Sequence, residues 1–156
     1  MFRVSVVLVA LIASISAEDQ GEKTDDQSLY IRKCCKEMAS KPDTELIYNQ
    51  CYKNKTSSSD IYMCIGTMKG ILTPDGQLDV AKVNKYIEDE FQTDPKLVTV
   101  IKKACVEGDV SKYGPPEINE ITKFFICASY KQIMACPDWT DDVPCDGGKF
   151  QMKRIE

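Results

Sequence analysis

Apolar and polar positions divide this chain into a leading apolar run and a series of helix-spaced segments. The leading run, MFRVSVVLVALIASISA over 1–17, carries no charge after Arg3 and ends on small residues. That is the pattern of a secretory signal peptide, with cleavage expected after Ala17. It falls short of the roughly 20 apolar residues that span a bilayer, and a strongly polar stretch, EDQGEKTDDQ, follows at once. Residues 18–27 are acidic, lack large apolar side chains, and read as a flexible leader.

From Ser28 the spacing becomes helical, with Tyr30, Cys34 and Met38 in one row and Ile31 and Cys35 beside them. Both cysteines of this first predicted helix lie on its buried side. Pro42 interrupts, Asp43 can cap, and Leu46, Ile47, Gln50 and Cys51 predict a second short helix. The polar loop KNKTSSSD leads to a third over 60–69, carrying Cys64, and Gly70 to Gly76 make a turn tipped by Pro74 and Asp75. Leu78 and Asp79 open a fourth helix, in which Val80, Val83, Ile87 and Phe91 repeat on one face while Lys82, Lys85, Glu88 and Asp89 face water.

Asp94 before Pro95 supplies a cap and a proline at the first helical position. The fifth helix then runs to about Glu107, with Leu97, Ile101, Ala104 and Cys105 inward and Gly108 as its terminator. Pro115 and Pro116 start the last helix, EINEITKFFICASYKQIMAC, which shows Ile118, Ile121, Phe125 and Ala128 on one face; Pro137 stops it. No stretch alternates strictly over a strand's length, so β structure is at most minor. The expected fold is all-α, about six helices in one domain over 28–145, followed by a flexible C-terminal tail over 146–156.

Cysteine usage adds staples to this picture. The eight cysteines, Cys34, Cys35, Cys51, Cys64, Cys105, Cys127, Cys136 and Cys145, all follow the leader, and an even number in an oxidising compartment implies disulfides throughout. Roughly 105 connectivities are open, although adjacent Cys34 and Cys35 do not suit a bond to each other. That pair should staple one segment to two others. The net charge of −4, with no long basic run, argues against nucleic acid and anionic membrane as partners.

The chain has no histidine. Mechanisms that need imidazole are therefore excluded, including Ser-His and Cys-His nucleophile activation and His-ligated zinc. The cysteine doublet followed by Cys51-Tyr52 resembles secreted phospholipase A2. Its base, however, is a histidine beside the doublet, and here that stretch reads Cys34-Cys35-Lys36-Glu37-Met38-Ala39. The acidic runs at Glu88, Asp89 and Glu90 and at Asp141 and Asp142 read as solvated faces. DGQL after Pro74 lacks the alternating oxygen ligands of a calcium loop, and the cysteine spacing lacks zinc knuckles. No catalytic residue, metal site or cofactor is expected, and the protein is not expected to be an enzyme. Asn54-Lys55-Thr56 is a glycosylation sequon in an exposed loop, with Asn54 the acceptor.

What remains is a supply of adaptable apolar and aromatic side chains on the later helices. A pocket of roughly 300 Å³ would cost on the order of 7 kcal/mol, which disulfides at about 2–4 kcal/mol each can offset. The expected ligand site lies among the last three helices and comprises Tyr86, Ile87, Ile101, Phe124, Phe125 and Ala128, with a tyrosine hydroxyl as the orienting polar contact.

Cys127, Cys136-Pro137, Trp139 and Cys145 resemble the ending of the Plus-C type of insect odorant-binding proteins, and the Cys34-Cys35 doublet and CIGTMKGILTPDGQLDVAKV add to the likeness. The resemblance spans nearly the whole chain after the leader. It departs at Asp60, where the family usually has a cysteine four residues before the one matching Cys64. It implies a helical shell around an apolar cavity and a secreted, extracellular carrier of odorants, pheromones or lipid-like molecules. A membrane receptor or a second copy of the chain are further partners it suggests. It also implies a link from Cys64 to the first helix region and a Cys105–Cys136 bridge, leaving Cys127 to Cys51, Cys145 or the doublet. The alternative is a secreted, disulfide-rich helical interaction protein without a ligand cavity.

Overall fold

The computed structural model describes residues 34–35, 41–53, 55, 57–138 and 140. The expected signal peptide, leader, most of the first helix, Asn54, Trp139, Asp141, Asp142, Cys145 and the tail lie outside the described residues. Among the described residues there are five α-helices and no strand. None of these helices is long and apolar enough to cross a membrane.

Helix α1, Pro42–Lys53, is the second helix expected from the sequence, and it begins on the proline expected to precede it. Pro42 has no N–H to satisfy, and the first turn of a helix needs none there. The turn closes on the preceding residue, with the Thr44 N–H donating to the Lys41 carbonyl at 2.9 Å, and Asp43 sits inside this turn instead of capping it. Helix α2, Ser58–Met68, starts earlier than the expected position 60, because Ser57 caps it reciprocally. Ser57 Oγ accepts from the Asp60 N–H at 3.1 Å and donates to the Asp60 carboxylate at 2.7 Å. The following turn reverses at Gly70 and Gly76, whose φ values of 67° and 82° favour glycine. A lone antiparallel bridge pairs Leu72 with Leu78 across it.

Helix α3, Val80–Glu90, is capped by Asp79, whose Oδ1 accepts from the Lys82 N–H at 3.2 Å. Val83 and Ile87 are buried as the spacing predicts, but Val80 in the first turn is 58% exposed. Helix α4, Pro95–Ile101, has the expected Asp94 cap and leading proline. It then widens into a π-helical turn over Lys102–Val106, closed by the Glu107 N–H on the Lys102 carbonyl. A short 3₁₀ turn, Ser111–Tyr113, precedes α5, Glu120–Ala135. The latter begins later than the two prolines suggest. Asn119 supplies the cap, its Oδ1 accepting from the Thr122 N–H at 2.8 Å, and the prolines occupy the turn before it.

Helix α5 is the hub, packing on α2, α4, the π-turn and the 3₁₀ turn. Accordingly it is buried almost all round rather than on one stripe, with Ile121, Thr122, Phe124, Phe125, Cys127, Tyr130 and Ile133 all covered.

Three disulfides join these elements: Cys35–Cys136, Cys51–Cys64 and Cys105–Cys127. Cys34 is disulfide-bonded as well. The bridges differ from those the family resemblance implies. Cys105 reaches Cys127 on the facing turn of α5, not Cys136, and Cys64 bonds Cys51 on α1, not the first helix region. The doublet does staple to a distant segment, since Cys35 meets Cys136 at the end of α5. Oxidised cysteines of this kind fit an extracellular compartment.

Candidate functional site

The six residues expected to line a ligand site are drawn together by the fold, but mostly as solid core. Ile87, Ile101 and Phe124 are 0% exposed, and Phe125 and Ala128 are buried beside them. Phe125 stacks on Tyr62 with ring centroids 5.2 Å apart, while Phe124 meets it edge-on at 5.3 Å and Tyr86 at 6.5 Å. These contacts satisfy each other. Phe124 and Tyr86 reach two different clefts among the described residues, Phe124 one lined mainly by apolar side chains and Tyr86 one lined mainly by charged ones.

The apolar cleft, about 240 Å³ and partly open to solvent, lies between the start of α3, the π-turn, the link that follows it and the first turns of α5. Leu78, Val80 and Val83 form one wall, Cys105, Val106 and Val110 another, with Phe124 at the base and Glu120 on the lining. Its geometry follows from the local backbone. The π-turn carries an extra residue per hydrogen-bonded ring, so Cys105 points to α5 and bonds Cys127 while Val106 borders the cleft. The turn then ends at Gly108, where an added Cβ would lie 2.6 Å from the Ala104 carbonyl oxygen. Only glycine lets the chain double back so closely. Val80 is exposed because it stands at this cleft, and Val106 and Val110 were missed because each falls just outside a helical apolar stripe. The sequence signal for them is the apolar pair flanking EGD after the helix face has ended.

The second cleft, about 350 Å³, is lined by Lys41, Asp43, Thr44, Lys69, Lys82, Lys85, Tyr86, Asp89 and Glu90 with Gly70. Its wall holds a closed polar triangle. Lys69 Nζ donates to Thr44 Oγ1 and lies 3.3 Å from Glu90 Oε2, and the Thr44 hydroxyl donates to the same Glu90 oxygen at 2.7 Å. Nζ also sits 5.4 Å over the Tyr86 ring. The side chains of Lys69 and Glu90 are only 12% and 7% exposed. Glu90 therefore departs from the solvated face read for its acidic run. It follows Ile87 by three residues and Tyr86 by four, which carries it round to the packed side of α3.

Asp138 Oδ1 lies 3.7 Å from both Cys35 and Cys136 Sγ. Those sulfurs are bonded to each other, so neither offers a thiolate to a metal ion or a proton to the carboxylate. The Lys82 backbone N–H holds Asp79 below the usual carboxylate range, and the Ser111 backbone N–H does the same for Asp109. Compared with known proteins, the chain matches no family model, no curated protein and no solved structure.

Proposed function

We propose that the protein is a secreted carrier of small hydrophobic molecules, as the resemblance to insect odorant-binding proteins implies, and that its ligand occupies the cleft floored by Phe124. The observation that carries this reading is a concave site of about 240 Å³ walled by valine, leucine, phenylalanine and a disulfide. At the ~30 Å³ that a water occupies in the liquid, this is room for roughly eight water-sized groups. The best small ligands gain up to about 1.5 kcal/mol per non-hydrogen atom, so micromolar affinity is within reach of a molecule this size.

The rigid frame supports the same reading. The Cys105–Cys127 bridge fixes one wall to the floor, so the cleft need not collapse when empty. The expected site shifts accordingly, from the interior of the last three helices to their edge. A charged substitution of Phe125, buried and stacked on Tyr62, would test folding and not binding.

The close packing of Ile87, Ile101 and Phe125 favours the second reading, a solid-core interaction protein. Uptake of naphthalene, a compact fluorescent apolar probe, separates the two. The oxidised protein is expected to bind it, and Val106→Lys to abolish binding while keeping the helical circular dichroism of the parent. A folded Val106→Lys protein with undiminished uptake would move the site away from this cleft, and no uptake by the parent would favour the solid-core protein.

A further inference from the structure

We infer that the apolar cleft selects short apolar molecules that end in a cationic amine, with the Glu120 carboxylate as the partner of the ammonium group. This rests on the carrier reading and narrows it to a ligand class. Among the described residues that line the cleft, Glu120 is the only charged one. The other side chains on the lining are apolar: Val83 and Phe124 are 1% and 0% exposed, and Leu78, Val80, Cys105, Val106 and Val110 stand with them, while Gly108 contributes backbone. A ligand seated there has an apolar body against these side chains and a single charged group within its reach.

The sign of that group decides the chemistry. An ammonium is attracted to the carboxylate, an alcohol gains at most a hydrogen bond, and a carboxylate-ended molecule such as a short fatty acid is repelled. Among the described residues, no lysine or arginine lines this cleft to reverse the preference, whereas the polar cleft has Lys41, Lys69, Lys82 and Lys85 on its walls. Glu120 is exposed at the first position of α5, so the head group stays at the watery side of the cleft and the ammonium keeps part of its hydration. The selectivity is correspondingly modest, about fivefold for a partly solvated pair, and it weakens as salt is raised.

The test is displacement of naphthalene from the oxidised full chain at neutral pH by hexylamine, hexan-1-ol and hexanoate, which share one chain length and differ in charge. Hexylamine should displace best, hexanol about fivefold less well, and hexanoate least, with the first margin shrinking in high salt. Glu120→Gln should bring hexylamine to the level of hexanol. Glu117→Gln, which removes an equal charge from the nearby turn but not from the lining, should keep the original order. If naphthalene binds and the three compete equally, or Glu120→Gln preserves the order, the amine preference is overturned while the carrier reading stands. If naphthalene does not bind at all, both fall.

Discussion

Lys69 shows how single residues are held at this protein's second cleft. Its ammonium group is withdrawn from water at the end of α2, and Thr44 from α1, Glu90 from α3 and the face of Tyr86 stand where that water would be. Such a pair contributes little net stability against an apolar replacement, but breaking it strands a charge. Lys69→Met is therefore expected to cost about 3 kcal/mol in denaturant unfolding, and adding Glu90→Leu to recover most of that loss. Equal stability of the single variant and the parent would mean that Glu90 finds water in place of its partner. The sequence hides this triangle, because a lysine after a helix and a glutamate within an acidic run carry no mark of burial. Their positions become meaningful only once α1 has been placed against both.

At the scale of elements, helix starts were legible only in part. Asp94 caps as expected, since an aspartate before a proline at the first helical position needs only local geometry to act, whereas the caps at Ser57 and Asn119 set starts that the apolar spacing did not mark. Prolines marked helix starts only approximately: Pro42, expected to lie just before the second predicted helix with Asp43 as its cap, is that helix's first residue, and Pro115-Pro116 precede a helix that waits for Asn119. The π-turn over Lys102–Val106 has no sequence signature, because the apolar spacing of Leu97, Ile101 and Cys105 reads the same in either helix type. What enforces its end is Gly108, pressed against the Ala104 carbonyl. Gly108→Ala is expected to cost about 1–3 kcal/mol through this backbone clash and to weaken naphthalene uptake together with stability, as read by thermal unfolding and fluorescence. Unchanged stability would show that the turn relaxes freely.

Across the whole molecule, the all-α class was legible from periodicity and the oxidised cysteines from their number, whereas the bridges were not. Pairing depends on which turn of α5 faces the π-turn, and that is a property of packing alone. The absence of histidine also acts at this scale. Asp79 and Asp109 are held below the usual carboxylate range by backbone donors, so the stability they contribute is present above that range and is lost as pH falls through their lowered values. Unfolding stability and ligand affinity should thus be nearly flat from about pH 8 to 6, where only histidine has an unperturbed side-chain pKa, and decline below about 5 if at all. A tenfold affinity loss between pH 6 and 7 would contradict this. The central claim, a small apolar ligand in the cleft over Phe124, is tested most directly by titrating hexan-1-ol into the isotope-labelled, oxidised protein and mapping amide chemical-shift changes. The account predicts saturable changes centred on Val83, Val106, Val110 and Phe124; changes centred instead on Thr44, Lys69 and Tyr86, or none at saturating ligand, would contradict it.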